Sequence, residues 1–342
     1  MGGYRAANPG FVYDGYARFW RVAGMLTRDR EPPEQEWLDL LGAAGYRDLI
    51  AHEFPADFFP ESFRVAFKPS LGQELARALQ GGPRADLLRH YLFAHETRDR
   101  IARSMDLLTS ARLAAAARQA ALEWLPRGLT PGFPDVAFVI FAPDARGYAR
   151  VVVDAAYLCQ VESPAALLAH EYHHVYRRQL APPRLLGGEG EADLLWVLDQ
   201  LEMEGIADQI DKRRWPEEPP VATGRTAEYA RSYRQHFHTS PDLLQRLDAL
   251  LCAWHRSTGR RPEIARRLRA SLPLSGHPTG SYMAQKIERA FGREACVGTA
   301  GNPFAFMRLY SDAARSAAHG PALSDGALLA LKALERTCLA PA

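Results

Sequence analysis

The chain has 342 residues, enough to bury a sizeable core as one large domain or two small ones. Nearly half of it is apolar, and its formal net charge of +2 comes with no concentrated basic patch, so neither nucleic acid nor a membrane surface is an expected partner. The four cysteines, Cys159, Cys252, Cys296 and Cys338, lie far apart without a C-x-x-C pairing, which argues against a thiolate metal site or a disulfide framework.

The opening "MGGYRAANPGF" has no charged stretch followed by an apolar run, so no secretory leader is expected there. No apolar run approaches the ~20 residues of a membrane span, and the expected compartment is the cytoplasm. From Tyr13 to about Trp124 the pattern predicts helices, interrupted at "REPPEQEW", "EFPADFFPESF" and "QGGPRAD". "LPRGLTPGFPD" then reads as a connection, and it places a domain boundary between a helical part, 1–125, and a second part, 126–342. Two β-prone runs follow, "VAFVIF" and "ARVVVDAAYL", separated by the turn-like "APDARGY"; together they predict a hairpin. Beyond them come a histidine-rich segment, a loop "APPRLLGGEGE", a helix around 190–214, the break "WPEEPPVATG", and helices to the end.

The histidine segment "SPAALLAHEYHHV" fits H-E-x-x-H with His170, Glu171 and His174. Ser163 suits an N-cap and Pro164 the first helical turn, so a helix is expected. Positions four apart share a helix face, which lets His170 and His174 offer two imidazoles to one metal ion. Glu171 is then the natural general base for an attacking water. The competing interpretation is a solvated helix face that happens to carry histidines. His173 lies near the ligand face without easily reaching the same ion, and is expected to support a ligand from behind, to face the substrate or to be structural.

A catalytic zinc usually takes three protein ligands. The extended metzincin motif does not supply the third, because Arg177 stands where its glycine should be and Leu180 where its histidine should be. Downstream, "LLWVLDQLEMEGIADQID" offers Glu204, with Asp208 four residues on and on the same helix face. Glu204 would bind the metal, and Asp208 would accept a hydrogen bond from the outer nitrogen of a ligating histidine. Gly205 would let the chain approach closely, and the small Ala207 would leave room for the other helix. Glu202 points elsewhere and is the weaker candidate, while Glu189 and Glu191 are possible substitutes.

"HEYHH" followed by "EGIAD" resembles the gluzincin metallopeptidases, whose second motif runs N-E-x-x-S-D; Met203 and Ala207 depart from it. The resemblance implies His170, His174 and Glu204 as zinc ligands, Glu171 as base and Asp208 as the supporting aspartate. "FWRVAGMLTRDREPPEQEW", "HEYHH", "MEGIAD" and "GSYMAQKIERAFG" are also similar to uncharacterised bacterial families of zinc-dependent proteases, a likeness covering most of the chain.

The expected fold is therefore α+β, mainly α, and zincin-like, with a small sheet beside the motif helix. In such proteases an edge strand pairs with an extended substrate, and the resemblance implies that role for "ARVVVDAAYL". A donor to the developing oxyanion is also needed, and "GHPTGSYMAQKIE" offers Tyr282 and His277. The expected activity is zinc-dependent hydrolysis of a peptide or protein substrate. Hydrolysis of a non-peptide amide by the same ligands, or a non-catalytic sensor stabilised by its metal, are the alternatives; Glu171 speaks against the latter, since a structural site needs no base.

Overall fold

The computed structural model describes residues 10–181, 188–220, 224–317 and 320–338. Most of them are helical, with one four-stranded sheet, the α+β, mainly α class expected from the sequence. Parts of the predicted loop at 181–191 and of the break at 215–224 lie outside the described residues. Among the described residues no helix is long and apolar enough to cross a membrane. Two compact units emerge, one of residues 1–119 and 130–175, the other of residues 120–129 and 176–342. These units part at other points than the expected 125/126 boundary, because the strands group with the N-terminal helices.

The first unit holds the sheet, made of β1 (Phe11–Val12), β2 (Val136–Val139), β3 (Ala145–Gly147) and β4 (Val151–Asp154) in the order β1-β2-β4-β3. Strands β2 and β4 read "VAFV" and "VVVD" and are buried throughout, as continuous β-branched and aromatic runs become when both faces of a sheet are covered. They pair in parallel, not as the hairpin expected from the sequence. The hairpin is instead β3 with β4, antiparallel, so that "ARG" within the supposed turn forms a strand.

Helices Asp14–Leu26 and Ala44–His52 sit close on β2 because each brings a glycine to it. A Cβ on Gly15 would lie 2.9 Å from Val139 Cγ1, and one on Gly45 2.6 Å from the same atom. Where the strands end, Tyr46 donates its hydroxyl to the Ile140 carbonyl and Tyr91 to that of Phe141. The buried Asp154 carboxylate accepts the backbone N–H groups of Phe141 and Tyr157 and meets His90 Nε2 at 2.9 Å. These bonds satisfy the backbone groups left over where the ladder stops.

In the second unit the helix Glu189–Asp211 is packed by His277–Phe291, Arg261–Ser271 and Pro303–Ala317. It crosses His277–Phe291 at Gly205 and Gly280, with hardly any space between the backbones. A Cβ on Gly205 would fall 2.5 Å from the Gly280 carbonyl oxygen, and one on Gly280 2.3 Å from that of Leu201. Gln209 pins the same crossing by donating to Ser281 Oγ at 3.0 Å. The chain enters the His277 helix through three successive left-handed residues, Leu274 (φ 46°), Ser275 (φ 52°) and Gly276 (φ 92°). Only the glycine adopts that region without cost.

Candidate metal centre

The motif segment forms one helix, Pro164–Leu180. Ser163 caps it as expected, its Oγ accepting the Ala166 N–H at 3.3 Å. On this helix His170 Nε2 and His174 Nε2 face each other at 2.9 Å, with their rings nearly perpendicular at 87°. Two nitrogens on one tetrahedral zinc, each at about 2.0–2.1 Å, stand roughly 3.3 Å apart, so the pair fits a shared ion with only a small opening of the rings. Glu171 completes the cluster: ligand atoms of His170, Glu171 and His174 all lie within 4.8 Å of one another. All three are buried, which argues against a merely solvated histidine face. His173 is fully buried too, its ring 6.1 Å from that of His174.

Strand β3 borders this cluster. A Cβ on Gly147 would stand 2.7 Å from the Glu171 carbonyl oxygen, 2.8 Å from His174 Cβ and 3.1 Å from Glu171 Oε2. The strand beside the motif helix at the sheet's edge is therefore Ala145–Gly147, and the expected "ARVVVDAAYL" is the inner strand β4 followed by the short helix Ala155–Leu158.

In the second unit, Glu204 and Asp208 share a face of their helix with His277 in front of them. His277 Nδ1 lies 2.9 Å from Asp208 Oδ1 and 3.3 Å from Glu204 Oε2. Asp208 is fully buried and also accepts from Tyr233 Oη at 2.9 Å and Lys212 Nζ at 3.1 Å. Burial alone would lower the His277 pKa, but the facing carboxylates of Asp208 and Glu204 outweigh it and raise it above the ordinary imidazole value. Burial likewise works against the Lys212 ammonium, which Asp208 and Asp211 nevertheless keep well above its usual range. Asp208 thus meets His277, an imidazole outside both the HEYHH and the EGIAD motifs.

Glu202, the weaker ligand candidate, is committed elsewhere. Its Oε2 accepts Arg177 Nε at 2.7 Å, and its Oε1 accepts the Gly301 N–H at 3.0 Å. Glu191 lies in the first turn of the Glu189–Asp211 helix, where its carboxylate accepts the Gly188 N–H at 3.4 Å. Tyr282 is buried on another part of its helix, its ring edge-on to Phe237 at 5.6 Å with Lys286 Nζ above it at 5.2 Å. His236 and His238, a pair at alternate positions, fall in the last turn of one helix, where residues two apart diverge.

Sequence reasoning missed Gly147, Tyr233, Lys212 and the partnership of Arg177 with Glu202. Gly147 hides in a turn-like string, and Tyr233 belongs to a helix that carries no motif. Arg177 carries no signal of its own in the sequence beyond departing from the metzincin pattern.

A family model described as "Putative zinc dependent peptidase (DUF5700)" matches residues 37–319, a span that contains every site residue named above. No curated protein and no solved structure matches the chain.

Proposed function

Because the chain belongs to this family, we propose that it is a zinc-dependent peptidase whose metal is held by His170, His174 and Glu204, with Glu171 as general base. The observation that carries this reading is the buried pair of imidazole nitrogens 2.9 Å apart with a carboxylate next to them on the same helix. Two imidazoles and one carboxylate suit zinc and leave a coordination position open. When bound, zinc would polarise the scissile carbonyl and acidify water.

Glu171 would take the proton from the attacking water and pass it to the leaving amine. In its doubly protonated form His277 donates Nδ1–H to Asp208, and its Nε2–H is the candidate donor to the developing oxyanion. Tyr233 and Lys212 hold Asp208 in turn, so the His277 ring is oriented by a buried chain of hydrogen bonds. Tyr282 is the second candidate donor, and its packing against Phe237 makes it the weaker one.

A polypeptide substrate is favoured over a small amide by β3, an edge strand packed on the motif helix, where an extended segment could add as a further strand. Digestion of a peptide library by the zinc-loaded protein tests the reading. Cleavage by the wild type, abolished in Glu171→Gln with zinc retained, is expected. A zinc-loaded wild type that cleaves no peptide would contradict it.

A further inference from the structure

We infer that the buried Arg177–Glu202 ion pair is a register lock for the proposed zinc ligands, with Arg177 as a positioning residue. This rests on the reading of His174 and Glu204 as ligands. Arg177 follows His174 by three residues on one uninterrupted helix, and Glu202 precedes Glu204 by two on another. A displacement of either partner along its helix therefore moves a ligand with it.

The pair is more specific than a charge contact. Arg177 reaches Glu202 Oε2 through both Nε and Nη2, and Nη2 also donates to Asp199 Oδ1 at 2.8 Å. Glu202 is fully buried, and the Arg177 side chain is only 6% exposed. The second oxygen of Glu202 accepts the Gly301 N–H, and Gly301 in turn covers the end of the motif helix. A Cβ there would lie 2.9 Å from both the Ala181 nitrogen and the Leu180 carbonyl carbon, and the residue's φ of 83° again calls for glycine. Arg177, Glu202, Gly301 and the backbone at Leu180 thus form a closed circuit around the helix end that leaves the HEYHH motif.

A buried ion pair is a poor way to gain stability, because desolvating two charges consumes most of their attraction, and well-packed apolar replacements are often neutral or stabilising. What a planar guanidinium adds is direction: its N–H groups donate to a carboxylate in only a few geometries, whereas apolar side chains slide. Fixing register is the best-attested use of such a pair.

The test separates position from stability with the double variant Arg177→Met/Glu202→Leu, measured in full-length protein by zinc competition against a chelator and by thermal melting of the zinc-free form. The lock predicts a zinc-free melting temperature close to wild type, the removal of two buried charges being offset by the Gly301 N–H left without its acceptor, with zinc affinity lowered roughly 10- to 100-fold, as when the outer support of a metal ligand is lost. Arg177→Lys, which keeps the charge but not the two-donor geometry, should fall between. Wild-type zinc affinity in the double variant would overturn the lock while leaving the zinc reading intact. A wild type that takes up no zinc would overturn both.

Discussion

Gly147 lies so close to Glu171 that a single methyl group on it would press the helix backbone at 2.7 Å and the carboxylate at 3.1 Å. The proposed base is thereby held from the strand side by the absence of a side chain.

Gly147→Ala is expected to push the motif helix away from β3, displacing Glu171 and, through its Cβ, His174. Small misplacements of reacting groups cost rate steeply, so kcat should fall about 10- to 100-fold, with a smaller loss of zinc content. Steady-state kinetics alongside elemental analysis would check this; full activity in the Gly147→Ala variant would mean that the strand has slack.

Glu202 and Glu204 are two residues apart, and their variants should fail differently. Glu202→Gln weakens the partner of the buried Arg177 guanidinium, and removing one member of such a pair costs about 3–5 kcal/mol of folding stability. Glu204→Gln should leave the melting temperature of the zinc-free protein within a few degrees of wild type but abolish zinc retention. Equal loss of stability in both variants would contradict the division of roles.

Asp208 is expected to act through His277. Asp208→Asn keeps the shape but weakens the hold on the ring, and kcat/KM should fall roughly 10- to 100-fold with zinc still bound. Tyr233→Phe removes one hydrogen bond to the same carboxylate and should cost about 1 kcal/mol of stability with a smaller loss of rate. If Asp208→Asn released the metal instead, the aspartate would serve a ligand and not His277.

The left-handed turn before His277 predicts opposite signs at neighbouring positions. Ser275 is exposed at φ 52°, and Ser275→Asn should raise stability by up to about 1 kcal/mol because asparagine tolerates that region. Gly276 has φ 92° and a Cβ position 3.0 Å from Leu272 Cδ2, so Gly276→Ala should destabilise by at least about 1 kcal/mol. Denaturant titration of both variants reads the two signs.

What could be seen in the sequence was what rests on local periodicity. The motif helix, its Ser163 cap and the Glu204–Asp208 face follow from spacing of four and from capping chemistry. Strand pairing did not, since "VAFV" and "VVVD" carry the same β-prone signal whether they pair parallel or antiparallel, and only the insertion of "ARG" at the edge decides it. Three residues ending in glycine carry no strand propensity; Ala145–Gly147 is extended because β4 pairs with it. What Glu202 does instead depends on Arg177, twenty-five residues away in the chain, and the pairing of Asp208 with His277 spans sixty-nine. Contacts at such separations leave no periodic trace in the residues that make them.

Elemental analysis of the purified protein beside His174→Ala and Glu204→Ala decides whether this chain holds zinc through both helices. Close to one zinc per wild-type chain, lost in both variants, is the expected result. Wild-type protein that neither carries zinc nor takes it up when supplied would make HEYHH a buried helix face and remove the basis for the proposed hydrolysis.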